Sequence, residues 1–122
     1  MKQVIFSLLS CLLLNSCYRD NFEKLHPKAP VPGNCDTAAA ISYSAQIVPI
    51  INNYCISCHG AGQTSPDLST YPGVQSAAQT NLYSSVSWDG NSIPMPQGSS
   101  SRIPVCNLAE IRLWIAAGAP NN

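Results

Sequence analysis

Cys55-Ile56-Ser57-Cys58-His59 is the stretch on which the reading of this chain turns. Two cysteines separated by two residues, with a histidine directly behind them, form the attachment pattern of a c-type haem. The spacing has a chemical reason. Two thiols add across the two porphyrin vinyl groups as thioethers, and one turn of backbone between them spans the porphyrin edge. The adjoining imidazole then reaches the iron. The pattern predicts one covalently bound haem c on Cys55 and Cys58, with His59 as the proximal iron ligand.

A chain of 122 residues has room for one domain. Its six Lys plus Arg balance its six Asp plus Glu, so no basic excess points to nucleic acid. Met1-Lys2 supplies a short positive start, and residues 4–14 are apolar except for Ser7, Ser10 and Cys11. That run is too short to span a bilayer and fits the apolar region of an export signal. It ends in Leu14-Asn15-Ser16-Cys17, which resembles the lipobox of bacterial lipoproteins. The resemblance implies cleavage before Cys17 and attachment of diacylglycerol to its thiol. Leu8-Leu9-Ser10-Cys11 matches more loosely and would leave a much shorter apolar run. An ordinary signal peptide with an incidental cysteine is the alternative. The expected layout is a lipoprotein signal peptide at 1–16, a lipid-anchored flexible tether at 17–36 and a folded domain at 37–122.

The cysteines can then be accounted for one by one. Cys11 leaves with the signal, Cys17 takes lipid, and Cys55 and Cys58 take haem. Cys35 and Cys106 remain, a single pair in an exported and therefore oxidising setting, and a disulfide between them is expected. Two separate buried thiols are the alternative.

Along the chain, Pro27, Pro30, Pro32 and Gly33 break any helix in the tether. Ser42 or Ser44 can cap a helix running to about residue 54, with Ile47, Ile50, Ile51 and Tyr54 on one face. Pro49 must either kink that helix or mark its first turn. A short helix is expected at about 70–79 and another turn of helix at 81–87, followed by an irregular stretch at 88–105. In the last helix Asn107 can cap and Glu110 can reach back to the cap amide. Gly118 and Pro120 supply its stop. No alternating strand pattern or internal repeat is present.

A helix entering Cys55-Ile56-Ser57-Cys58-His59 and a C-terminal helix bearing Trp114 together resemble the small class I cytochrome c fold, over about residues 42–119. The likeness extends to the compact cytochrome c domains of bacterial lipoproteins. Those carry a Met-Pro run and end in a segment like Trp114-Ile115-Ala116-Ala117-Gly118-Ala119-Pro120. The resemblance implies an all-α, small cytochrome c-like helical domain around one haem, with its first and last helices crossing beside the haem edge. It also implies that a downstream proline carbonyl, here Pro66, orients His59. Met95 is the only methionine left after signal removal and lies in Ile93-Pro94-Met95-Pro96, where flanking prolines restrict the backbone. The family places its distal ligand in such a loop, so Met95 is the expected sixth ligand. His26, the other histidine, sits in the tether. Leu68, Leu82, Ile93, Val105 and Ile111 are candidate pocket contacts, and Trp88 and Arg102 candidate partners of the haem propionates.

The expected function is single-electron transfer by His59/Met95-ligated haem iron, between redox partner proteins, without enzymatic chemistry. The expected location is the bacterial cell envelope, on a periplasm-facing membrane surface. Tyr18 after Cys17 is not the aspartate linked to inner-membrane retention, which slightly favours the outer membrane. One alternative is a five-coordinate haem protein acting as gas sensor or peroxidase-like enzyme. Another is a zinc module in which Cys35 or Cys106 joins Cys55, Cys58 and His59. A thioredoxin-like role lacks the strand–helix–strand surroundings it needs. Mass spectrometry of membrane-extracted protein should find a diacylated N-terminus at Cys17. An unacylated start at another residue would exclude the lipid anchor.

Overall fold

Ser42 is extended (φ −91°, ψ 136°) and its hydroxyl accepts the Ala45 N–H at 3.3 Å, which opens the first helical segment. The computed structural model describes residue 35 and residues 37–122. The expected signal peptide, Cys17, His26 and the tether apart from Cys35 lie outside the described residues. Tyr43–Ile47 forms a π-helical turn that runs straight into α1, Val48–Tyr54. Pro49 falls in the first turn of α1. A proline has no N–H to donate and its ring presses on the carbonyl four residues back. The wider π turn directly ahead of Pro49 absorbs that misfit without ending the helix.

Cys55 (φ −123°, ψ −40°) breaks α1 from the single-turn α2, Ile56–His59. Thr70 caps α3, Tyr71–Ala78, by accepting the Gly73 N–H, and Pro72 sits in its first turn. Gly73 is required by close approach, since a Cβ there would come within 1.8 Å of the Asp67 carbonyl oxygen. α4, Leu82–Ser87, ends on Trp88 in the left-handed region. After an irregular segment the last helix, α5, spans Val105–Ala116. No strand occurs among the described residues, and the fold is all-α.

The start of α5 corrects one expectation. The helix begins at Val105 behind Pro104, whose carbonyl accepts the Leu108 N–H at 3.0 Å, and no side chain caps it. Proline disfavours helical geometry in the residue before it, so the chain turns helical directly after Pro104. Asn107 and Glu110 therefore lie inside the helix rather than forming a capping box. Partial burial of Glu110 instead pushes its carboxyl pKa up.

The core is centred on Trp114, Ile47, Ile111 and Val74, all without solvent exposure. Tyr43 stacks on Trp114 at 5.6 Å between ring centroids and meets Tyr71 edge-on at 4.9 Å. Three helical segments are thereby joined through one aromatic cluster, and such pairs add about 0.5–1.5 kcal/mol each beyond the area they bury.

The C-terminal stop is built by hydrogen bonds. Gly118 (φ +90°) donates its N–H to the Ile115 carbonyl and Ala119 donates to the Trp114 carbonyl, both at 2.9 Å. This is a Schellman ending, for which glycine is the residue that takes positive φ without a Cβ clash. The indole of Trp114 donates to the Pro120 carbonyl and the Tyr71 hydroxyl to that of Ala119, again at 2.9 Å. Asn122 then accepts the N–H groups of Tyr43 and Ser44 at 2.7 and 3.0 Å. The chain end thus satisfies donors that the first helical segment leaves open.

Cys35 and Cys106 are joined by a disulfide, with Cα atoms 5.4 Å apart across 71 residues of sequence. No helix among the described residues is long and apolar enough to cross a membrane. A loop of this length predicts that Cys35→Ser with Cys106→Ser lowers stability by about 4 kcal/mol in the chain-entropy model. Denaturant unfolding measures it, and an unchanged midpoint would remove the disulfide from the stabilising interactions.

Candidate haem-binding site

The turn that carries Cys55, Cys58 and His59 is set by one carbonyl. Cys55 donates its own N–H to the Ile51 carbonyl at 2.9 Å, and its carbonyl accepts from both Cys58 at 3.1 Å and His59 at 2.9 Å. Cys55 is half-buried and Cys58 exposed, and neither takes part in a disulfide. Burial pushes the Cys55 thiol up to about 11. Gly60 ends α2 in an extended conformation, and a Cβ there would lie 3.0 Å from the Ile56 carbonyl oxygen.

The loop after His59 folds back over this turn. Thr64 donates to the Cys58 carbonyl at 3.0 Å and Leu68 to the His59 carbonyl at 2.8 Å. These two bonds bring the Pro66 carbonyl oxygen to 3.0 Å from His59 Nδ1. A carbonyl only accepts, so in the neutral imidazole the proton resides on Nδ1 and Nε2 keeps its lone pair. His59 is only 9% exposed, which holds the ring in this orientation. The contact implied by the cytochrome c resemblance is therefore present, built by the loop at 60–66.

Met95 stands on the separate segment between α4 and α5, partly buried against the core. Its N–H donates to the Ser85 carbonyl at 3.0 Å, and its carbonyl accepts the Trp88 indole N–H at 2.7 Å. Both Ser65–Pro66 and Met95–Pro96 are cis peptide bonds. A cleft of about 320 Å³ lies between Tyr54 and the segment holding Pro96, Ser99, Ser101, Arg102, Ile103 and Pro104. One wall thus directly precedes Cys55 and the other directly follows Met95.

The structure gathers Cys55, Cys58, His59 and Pro66 into one unit and sets Met95 beside the cleft that adjoins it. Arg102 lines the cleft and donates through Nη1 to the Ser87 carbonyl at 3.4 Å, whereas the indole of Trp88 is committed to Met95. Leu68, Leu82 and Ile111 are core residues, but Ile93 and Val105 are 65% and 43% exposed. Ile93 and Val105 therefore lie outside the protein core. Ile93 lies on the irregular segment before the prolines, and Val105 opens α5. Tyr54, Ser99 and Ser101 were not legible as cleft residues, and no local signal marks Ser85 as a partner of Met95.

The donor set fits a c-type haem: two thiols outside any disulfide, an imidazole with a fixed tautomer, and a thioether on a pinned loop. It fits zinc poorly, because Cys35 and Cys106 are bonded to each other and cannot complete a site with Cys55, Cys58 and His59. Comparisons with protein-family models, curated proteins and solved structures return no match.

The unequal environments of the two thiols give a test in protein made without haem attachment. At about pH 8, a thiol at 11 holds less than roughly a hundredth of the thiolate of an ordinary cysteine. Iodoacetamide should modify exposed Cys58 long before Cys55, as peptide mapping over a time course would show. Equal rates would mean that Cys55 is not shielded.

Proposed function

We propose that this chain is a monohaem cytochrome c that carries single electrons, tethered through Cys17 to a periplasm-facing membrane surface of a bacterial envelope. The observation that carries the reading is the His59 Nδ1 contact with the Pro66 carbonyl at 3.0 Å, directly behind an unoxidised Cys55/Cys58 pair. A surface histidine needs no such acceptor. A metal-ligating one does, because the second nitrogen fixes the tautomer and raises the basicity of the first.

Haem, when bound, supplies an iron centre that gains or loses one electron. Cys55 and Cys58 would hold it covalently, while His59 Nε2 and the Met95 thioether would bind its iron. Tyr54, Pro96, Ile103 and Pro104 give the adjoining cleft apolar walls. The Arg102 guanidinium and the Ser101 hydroxyl supply donors suited to anionic propionates.

No residue here is asked to act as acid, base or nucleophile. The chain's contribution is to keep its ligands in place while the charge changes. The His59 loop is held by the bonds from Thr64 and Leu68, and the Met95 segment by those to Ser85 and Trp88. The half-buried setting of Cys55 against the core also places one thioether anchor away from solvent. Electrons would pass to and from redox partner proteins, with the exposed Cys58 side nearest to solvent.

A pyridine haemochrome spectrum of the protein from an exporting, haem-attaching host should show one c-type haem per chain, and its absence would refute the reading. Met95→Ala should lower the reduction potential by on the order of 0.1 V, within the span of about 0.8 V that axial ligands cover. It should also make the ferrous iron bind carbon monoxide rapidly. A wild-type protein that already binds carbon monoxide at that rate would instead be a five-coordinate haem protein.

A further inference from the structure

We propose that Trp88 is a positioning residue that holds Met95 on the haem iron, an inference that rests on the cytochrome c reading above. Both backbone groups of Met95 are gripped by the end of α4. The Met95 N–H reaches the Ser85 carbonyl at 3.0 Å, and the Trp88 indole N–H reaches the Met95 carbonyl at 2.7 Å. Pro94 and Pro96 have no N–H, so Met95 supplies the only backbone donor of that tripeptide. It is spent on one of the last carbonyls of α4, which a helix end leaves without an intrahelical partner.

Trp88 is set in place at a conformational cost. It ends α4 with φ 60° and ψ 43°, donating its own N–H to the Ser84 carbonyl at 3.2 Å. A glycine or asparagine would adopt this left-handed cap with less strain. A large aromatic side chain there points to a role for the ring rather than for the backbone, since residues held in sparsely populated conformations cluster where a site needs them. The contact that the ring makes from this cap is the bond to Met95. Neighbouring bonds stiffen the same mount: Asp89 accepts from Ser84 Oγ and from the Asn91 N–H, and Arg102 donates to the Ser87 carbonyl.

The physical consequence concerns the competition between the Met95 sulfur and any other ligand for the ferric iron. With the indole in place, release of the sulfur must either break the 2.7 Å bond or move the side chain alone. Without it, the carbonyl of a partly buried residue loses its donor and the segment swings more freely, so the sulfur-off state gains population. One buried neutral hydrogen bond corresponds to a change of roughly five- to tenfold in that equilibrium.

The test uses full-length haem-bearing protein and exogenous imidazole as the probe. Trp88→Phe should keep one haem per chain by pyridine haemochrome, weaken the sulfur-to-iron charge-transfer band of the ferric form, and tighten imidazole binding roughly five- to tenfold. Trp88→His, which restores a ring N–H, should recover part of the difference. Val74→Ala, a core change in α3, controls for a general loss of stability and should leave imidazole affinity unchanged. Where Trp88→Phe does not accumulate, benzothienylalanine at position 88 replaces only the N–H by sulfur and carries the same expectation. Unchanged imidazole affinity and an unchanged charge-transfer band, with haem attached, would overturn the role of Trp88 and leave the cytochrome reading standing. A wild-type chain without a haemochrome would overturn both.

Discussion

The burial of the Trp114 indole is the interaction on which the rest of the structure depends. The ring has no solvent exposure, stacks on Tyr43 and sends its one polar atom to the Pro120 carbonyl. A buried N–H without an acceptor would cost about 1–3 kcal/mol, so the last residues must fold back over the ring for it to stay inside. That same fold-back carries Asn122 to the amides of Tyr43 and Ser44 and gives Tyr71 its acceptor at Ala119. The first helical segment, α3 and α5 are therefore registered against one another by a single aromatic residue and the short tail that closes over it.

On that frame the proposed haem ligands stand beside irregular chain: His59 closes the single-turn α2, and Met95 lies between α4 and α5. The loop after His59 and the segment around Met95 contain little regular structure, yet each is tied by backbone hydrogen bonds to a helix next to it. The arrangement suits a one-electron centre, where geometry has to be retained as charge changes. It also explains why irregular chain is tolerated so near the core: the backbone groups at His59, Thr64, Leu68 and Met95 find partners.

Much of this was legible in the sequence, and the exceptions have physical causes. The helices at about 42–54, 70–79 and 81–87 follow from caps, prolines and apolar spacing, and the structure holds helical segments at each place. The Cys35–Cys106 bond follows from assigning every other cysteine a role. The beginning of α5 was misread because Asn107 and Glu110 have the spacing of a capping box, while the constraint that wins is Pro104 three residues earlier. The π turn was not legible, though Pro49 marked where the helix had to adjust. Local pattern could not reveal the grip of Ser85 and Trp88 on Met95, because those contacts exist only once the segment has folded back onto α4. Ile93 lies outside the protein core because it stands on the irregular segment before α5.

The disulfide at Cys35 also decides where a leash is tied. For a chain anchored at Cys17, the reach would be counted from the lipid to the first pinned residue, and the Cys35–Cys106 bond pins it eight residues before Tyr43 (43 − 35). The leash would then span eighteen residues (35 − 17), at most about 60–65 Å at roughly 3.3–3.6 Å per residue of fully extended chain. Its fixed end sits on the first turn of α5, two residues after Pro104 at the cleft wall. A partner bound to the same membrane would then meet a tethered domain. Its local concentration near such a partner would be set by leash length rather than by free diffusion.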